Sequence, residues 1–168
     1  MGLMQIPRRV DYGLRAAIYL STQDPERNCS LAEIAEHQDV PRKFLEKIIQ
    51  DLIHGGLVKS KRGPDGGYTL ARAPSEITFR DIIEALVGPI AVNVCMDQQM
   101  SCGHLQRCAM VGVWHEIQRR VMDVFAHTTL ADLQRSPWQP LASASSLSSA
   151  AMNKEPSLNV QRHAGQSQ

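Results

Sequence analysis

Residues 30–71 carry an order of predicted elements that leaves few folds open. Apolar residues recur at the helical period in two short segments, which are separated by a three-residue turn from Gln38 to Val40. Ser30 and Glu33 have the spacing of a capping box at the start of the first helix, and Pro41 suits the start of the second. Residues 57–62 and 68–71 then alternate as strands do, around a Gly-rich turn. Two short helices followed directly by a hairpin predict a winged helix-turn-helix.

Helical patterns flank this unit on both sides. One helix is predicted from Val10 to Leu20, and another is capped at Thr78 and ends at Gly88. Helical spacing returns between Arg107 and His127, and its apolar stripe consists of Val113, Ile117, Val121 and Val124. No later element of comparable length is predicted to cover that stripe. A second copy of the chain is the simplest partner for it, and burial within the monomer is the alternative.

The predicted fold class is mainly α with a small β-hairpin wing, and a long dimerisation helix follows the winged helix. A length of 168 residues suits one domain with an appendage. We divide the chain into a DNA-binding domain (1–88), a cysteine-rich loop (89–109), a dimerisation helix with a C-terminal turn (110–133) and a tail (134–168). The tail is rich in Ser and lacks a hydrophobic period, so it is predicted to be disordered.

The positive charge is concentrated in the winged helix. Residues 41–72 hold seven Lys and Arg against three Asp and Glu, so this segment carries +4 in a chain whose net charge is +1. One basic segment in a near-neutral protein is typical of a single face that meets a polyanion. A chance excess of bases on a solvated face is the alternative from charge alone.

The predicted DNA-binding residues lie at the start of the second helix of the pair and along the hairpin. Arg and Lys can contact phosphates or guanine, Glu can accept from cytosine, and glycines allow close backbone approach. The apolar residues between them, Phe44 included, are predicted to face the domain. Winged helices also serve as protein-interaction modules, so that reading stays open. The predicted DNA contacts are Arg42, Lys43, Glu46, Lys47, Lys59, Lys61, Arg62, Gly66 and Gly67.

No pattern indicates a membrane protein or an enzyme. The chain has no apolar run of roughly 20 residues, and its N-terminal residues lack the pattern of a secretory signal. We therefore expect a cytoplasmic protein without membrane association and with reduced cysteines. Cys108 is a conceivable nucleophile, but no His/Asp arrangement supports it.

Three cysteines within 14 residues form the second constellation. Cys95, Cys102 and Cys108 are separated by six and five residues, gaps too wide for a CxxC zinc knuckle. An iron–sulfur site, a zinc site and a thiol switch remain open from the spacing. The fourth cysteine, Cys29, is interpreted as a small apolar residue. Candidates for a fourth ligand are nearby His104, His115 and Asp97, and Asp11 from the first helix of a second copy.

The chain resembles the Rrf2 family of bacterial transcription regulators over residues 4–133. The matching segments are DYGLRAAIYL at 11–20, SLAEIA at 30–35, FLEKI at 44–48 and RGPDGGYTLA at 62–71. The three cysteines and the long helix at 111–126 complete the match. The resemblance implies a homodimer that binds a double-stranded DNA operator and is not an enzyme.

Within that family, the three cysteines resemble those of the cluster-binding members. These are the iron–sulfur biogenesis regulator, the nitric-oxide-sensing repressor and the rhizobial iron regulator. The resemblance implies that Cys95, Cys102 and Cys108 ligate a [2Fe–2S] or [4Fe–4S] cluster that switches DNA affinity. The biogenesis regulator has a His three residues after its last cysteine, where this chain has Val111.

The nitric-oxide sensor instead takes an Asp from the first helix of the other subunit, and Asp11 matches it. This favours a repressor that responds to nitric oxide, redox state or iron status. A cluster-free regulator that responds to thiol redox state or a metabolite is the alternative.

Overall fold

A computed structural model describes residues 6–97 and 102–134. The predicted disordered tail lies outside them from residue 135 onward. The helices are α1 (Arg8–Ser21), α2 (Leu31–Gln38), α3 (Arg42–His54), α4 (Phe79–Val87), α5 (Val111–His127) and α6 (Leu130–Leu133). Strands β1 (Val58–Lys61) and β2 (Gly67–Leu70) form an antiparallel hairpin between α3 and α4. The mainly α fold with a hairpin wing is confirmed.

The core lies between the first four helices. α1 packs against α2, α3 and α4, and the side chains at the centre are fully buried aliphatic residues: Val10, Ile34, Leu45, Ile49, Leu52 and Ile82. Each such side chain stabilises the fold by roughly 1.5–3 kcal/mol relative to exposure. The aliphatic core fixes α3 against α1, and so sets which side of α3 faces solvent.

Side-chain caps fix where α2 and α4 begin. The Ser30 hydroxyl accepts a hydrogen bond from the N–H of Glu33 at 3.1 Å, which starts α2 where the sequence predicts. Thr78 and Asp81 form a reciprocal capping box at the start of α4, with bonds of 2.9 and 3.1 Å. α2 ends at Asp39, which adopts the left-handed conformation (φ 49°) and turns the chain toward α3.

The hairpin is tied to the segment before α2. Its register runs from Val58 opposite Leu70 to Lys61 opposite Gly67. Cys29 exchanges two backbone hydrogen bonds with Tyr68, of 2.9 and 2.8 Å, and thereby forms an isolated antiparallel bridge to β2. Its side chain is fully buried, as expected of a small apolar residue, and burial raises the pKa of its thiol. The wing is therefore held at its base by the segment before α2, and β1 also contacts α3.

α5 leans on the domain by one face. The Gln118 amide donates to the carbonyl of Ile90 at 2.7 Å and accepts from the N–H of Val92 at 2.9 Å, and Phe125 lies against Phe79 with ring centroids 5.1 Å apart. No α5 side chain is fully buried, and Val113 is 61% exposed. The helix begins at Val111, because residues 105–107 form a separate 3₁₀ turn. Its predicted apolar stripe is outside the core cluster of the described residues.

α6 is an element that the sequence pattern does not reveal as a helix of its own. It returns the chain to the first domain, where Leu130 is fully buried and its N–H donates to the carbonyl of Ile77 at 2.9 Å. Thr129 caps it with a capping box to Asp132. A four-residue helix is too short to show a hydrophobic period, so a C-terminal turn is all that periodicity predicts.

Candidate DNA-binding face and cysteine cavity

The N-terminal half of α3 presents a charged outer surface. Leu45, Ile48 and Ile49 are buried on the side of α3 that packs against α1, α2 and α4, which leaves the side chains between them in solvent. All four predicted contacts on this helix are exposed: Arg42, Lys43, Glu46 and Lys47. Such a surface is what a recognition helix offers to a major groove.

Phe44 corrects the prediction that the apolar residues of α3 all face the domain. Its ring is 65% exposed, the most exposed of the large apolar side chains among the described residues. Pro41 packs at the N-cap position, one residue before the helix, so that Arg42 is the first helical residue. Phe44 then lies in the first turn on the same outer side as Lys43 and Lys47, because Leu45 occupies the buried side.

The wing carries three exposed bases: Lys59, Lys61 and Arg62. Lys59 and Lys61 lie on the face of β1 opposite to the buried Val58, because side chains alternate between the two faces of a strand, and Arg62 follows directly after β1. The two predicted glycine contacts have structural reasons to be glycine. A Cβ on Gly66 would lie 2.4 Å from the Lys61 carbonyl oxygen, and a Cβ on Gly67 (φ 156°) would lie 2.6 Å from that of Cys29. Glycine at position 66 allows the tight turn of the hairpin, and glycine at position 67 allows β2 to approach Cys29.

A groove between the start of α1 and the start of α3 brings in residues that the sequence analysis missed. It has a volume of about 570 Å³, and its charged and aromatic lining consists of Arg8, Arg9, Tyr12, Lys43, Phe44 and Lys47. We call it the α1–α3 groove. Arg8 and Arg9 lie more than 30 residues before the basic segment, so a charge count along the chain does not group them with α3.

The three cysteines of the 89–109 segment line one cavity at the start of α5. This cysteine cavity has a volume of about 460 Å³ and is lined by Cys95, Cys102 and Cys108 together with His104, Trp114 and neighbouring apolar residues. All three thiols are half-buried and form no disulfide. The cysteine cavity therefore brings together three thiols that are up to 13 positions apart in the sequence.

Within residues 6–97 and 102–134, no group of three His, Cys, Asp or Glu side chains is close enough to hold a single metal ion. A single zinc ion requires all its donors within about 2.3 Å of one point. A cluster offers several iron atoms to its thiolate ligands, so those ligands surround a space instead. Three thiols that line one cavity fit the second requirement better than the first.

The other candidates for a fourth ligand are distributed differently. His104 lines the cysteine cavity, whereas Asp97 lines a neighbouring cavity between α4 and α5. Asp11 lies on α1 and pairs with Arg15 at 3.1 Å, with 48% of its side chain exposed. It is not part of the lining of the cysteine cavity.

Residues 6–136 match the Rrf2 family, which is described as "Iron-dependent Transcriptional regulator". The match spans most of the chain. The protein belongs to the Rrf2 family. Rrf2 proteins of this kind are transcriptional regulators, so it binds DNA and is not an enzyme.

Individual Rrf2 relatives are similar over nearly their whole length. The regulator CymR of Bacillus subtilis is 37% identical over 131 residues, which are 77% of this chain and 89% of CymR. Its solved structure, titled as the global cysteine regulator, superposes with a TM-score of 0.65 at 35% identity and covers 78% of this chain and 96% of that chain. T. potens IscR superposes with a TM-score of 0.63 at 28% identity and covers 90% and 94%. The winged-helix fold is shared with both.

No helix in the described part of this Rrf2 protein is long and apolar enough to cross a membrane.

Proposed function

We propose that this Rrf2 protein is a homodimeric cytoplasmic repressor whose affinity for a double-stranded, pseudo-palindromic operator is switched by an iron–sulfur cluster. The observation that carries the proposal is the convergence of Cys95, Cys102 and Cys108 on one cavity. The description of the family as iron-dependent supports it. The signal is nitric oxide, redox state or the supply of iron and clusters.

On the DNA side, α3 and the wing divide the work. Arg42, Lys43, Glu46 and Lys47 read base edges and hold phosphates in the major groove, since they occupy the exposed start of α3. Lys59, Lys61 and Arg62 follow the backbone beyond it, and Arg62 at the tip of β1 reaches the adjacent minor groove. Gly66 and Gly67 have no side chains, so the backbone of the turn can approach DNA closely.

On the sensing side, the three thiolates of one chain hold the cluster, which is either [2Fe–2S] or [4Fe–4S]. When bound, such a cluster supplies a site that nitric oxide or oxidants can modify and that is lost when iron is scarce. Asp11 of a second copy completes the ligand set. It is half-exposed on α1, so only its pairing with Arg15 has to be given up.

This ligand set couples the cysteine cavity to DNA binding through α1. α1 packs against α3, and the cysteine cavity lies at the start of α5, where the exposed Val113 of the apolar stripe can meet a second copy. As a ligand of the cluster, Asp11 would tie α1 of one copy to the α5 end of the other. Without that tie the spacing of the two α3 helices would be free to change, and operator half-sites are read only at one spacing.

A cluster-free regulator is the second candidate. It is favoured by the similarity to CymR, a relative whose structure is titled as a global cysteine regulator. In this case the three half-exposed thiols respond to oxidation by forming disulfides, or the regulator responds to a bound metabolite.

Replacing Cys102 separates the two candidates. We expect wild-type protein purified without oxygen to be brown, with matching iron and acid-labile sulfide, and Cys102→Ala to be colourless but folded. Cys29→Ala is the matched control, because it removes a thiol outside the cysteine cavity and should keep the absorbance. A wild-type protein that stays colourless after anaerobic reconstitution contradicts the cluster and leaves the thiol switch.

A further inference from the structure

The α1–α3 groove lies at the edge of the surface that α3 offers to DNA. Lys43 and Lys47 belong to both, since each lines the groove and is exposed on the outer side of α3. The groove is therefore continuous with the proposed recognition surface. Its other wall is formed by α1, which is not part of the proposed recognition surface.

The charges in the groove are unequally satisfied. Arg9 forms an ion pair with Asp51, and that pair joins α1 to α3. Arg8 is exposed and forms no ion pair with any of the described residues. The seven residues that precede Arg8 contain no Asp or Glu that could neutralise it. Arg8, Lys43 and Lys47 thus give the groove three positive charges that the described residues do not balance.

The position of Arg8 in α1 sharpens this imbalance. It is the first residue of the helix, where the partial positive charge of the helix end favours acidic side chains over basic ones. A base at that position brings no stability to the helix by itself. Its placement is explained if an anion outside the protein supplies the missing charge.

The aromatic residues provide the rest of the surface. Tyr12 and the exposed Phe44 line the groove together, so the groove presents apolar ring surface beside its positive charges. A strand of DNA offers both components, because phosphates alternate with apolar deoxyribose rings. The three cations of the groove can pair with the phosphates, and its two aromatic rings can contact the deoxyribose rings.

The geometry points to the α1–α3 groove as a clamp for the sugar–phosphate backbone of one DNA strand, with Arg8 on a phosphate and Phe44 against a deoxyribose. This inference rests on the proposed orientation of α3 toward DNA. It extends the interface from α3 and the wing to α1, the helix that also carries Asp11. It adds positioning contacts, which raise affinity for every sequence equally.

Two variants test the two components separately. In a dimer, Arg8→Ala removes two phosphate contacts, so the slope of log affinity against log salt should fall by about 2 and affinity should drop roughly tenfold or more near physiological salt. Phe44→Ala should weaken binding without changing the slope. The probes are a fluorescein-labelled 30-base-pair duplex (about three helical turns) that wild-type protein selects from a random pool, and a scrambled duplex of the same composition. Anisotropy titrations over a range of KCl concentrations give both quantities.

The controls isolate the groove from net charge and from folding. Arg80→Ala removes a positive charge from α4, beside a different cavity, and should leave the slope unchanged. Arg8→Lys keeps the charge and should retain most of the slope. Arg8→Ala should unfold at the same temperature as wild type or higher, because the replaced base opposes the helix dipole. A loss of DNA affinity without a loss of stability is what a purely structural role for Arg8 does not produce.

Lys47→Ala distinguishes failure of this inference from failure of the proposed recognition surface. If Lys47→Ala lowers affinity and Arg8→Ala does not, α3 binds DNA and the clamp is wrong. If neither variant affects binding, the orientation of α3 is wrong and the clamp falls with it. If Arg8→Ala and Phe44→Ala leave DNA binding intact but change the sedimentation of the protein, the groove is a protein interface and the inference is overturned.

Discussion

Gly67 shows how a single position in the wing constrains the fold. Its φ of 156° is in the region that favours glycine, and a Cβ there would lie within 2.6 to 3.1 Å of three backbone atoms of Cys29. Because the obstructing atoms are backbone, a side-chain rotation cannot relieve them. The two backbone bonds between Cys29 and Tyr68 depend on this close approach. A sequence motif can suggest a turn here, but only the packing explains why the last glycine of the turn cannot vary.

We therefore expect Gly67→Ala to lower the free energy of unfolding by about 1–3 kcal/mol, the cost of a strained backbone position. Urea denaturation followed by circular dichroism measures it. Gly112→Ala is the matched control, since a Cβ at Gly112 in the first turn of α5 meets nothing within 4 Å. That substitution should be neutral or stabilising by up to about 1 kcal/mol. Equal stabilities of the two variants would contradict the packing argument.

At the scale of elements, the sequence predicts the helices and strands well where a period and a cap coincide. Ser30 and Thr78 start α2 and α4 as expected, and each end of the two hairpin strands differs from the predicted ranges by one residue. Phe44 shows the limit of the method. It continues the helical period of α3, but α1, α2 and α4 cover the other side of that helix, and tertiary contacts alone decide which apolar residue stays exposed.

The candidate site divides in the same way. The residue types and spacing of Cys95, Cys102 and Cys108 indicate a ligand site, and the structure adds that one cavity contains all three. Arg8 could not be assigned from the sequence, because its partnership with Lys43 and Lys47 depends on how α1 crosses α3. Contacts between elements distant in the chain have no local signal.

The contact between α1 and α2 makes stability depend on pH. The Tyr19 hydroxyl donates to the Glu33 carboxylate at 2.7 Å, and Arg27 pairs with the same carboxylate. The bond from Tyr19, followed by the contacts of Arg27, lowers the pKa of Glu33 below its ordinary value of 4.5. A carboxylate whose pKa is lowered by folding stabilises the protein above pH 4.5, and this contribution is lost as the pH falls through the folded pKa.

We expect Tyr19→Phe to reduce the part of the unfolding free energy that is lost on acidification, because the pKa of Glu33 then moves back toward 4.5. Urea denaturation at several pH values from about 7 to about 3 measures this difference. Tyr12→Phe removes a hydroxyl from the same helix away from Glu33, so it should follow the wild-type profile. Parallel curves for wild type and Tyr19→Phe would show that the bond does not control the pKa.

At the scale of the whole molecule, α5 is incompletely packed for a helix of its length. Gln118 and Phe125 attach one face of it to the domain, while Val113 remains 61% exposed. By their helical spacing, Ile117 and Val124 belong to the same stripe as Val113. The stripe is only partly covered by the chain itself: Val121 lines a cavity against α1 and α4, whereas Val113 is exposed. This exposed part of the stripe is the surface on which the proposed dimer depends, and the proposed ligation by Asp11 of a second copy requires that dimer.

Val113→Asp should therefore convert the dimer into a monomer, because it places a carboxylate in the proposed apolar contact between two copies. Sedimentation velocity of the apoprotein measures this without reference to the cluster. His115→Asp introduces the same acid two residues away on the same helix, where the side chain is exposed and outside the stripe, and should leave the dimer intact.

A monomeric Val113→Asp protein should still fold, since α5 contributes no buried side chain to the domain. It should also lose the cluster absorbance, because Asp11 of a second copy is then absent. A dimer that survives Val113→Asp would place the contact between copies elsewhere, and Asp11 could then not be assumed to reach the cysteine cavity.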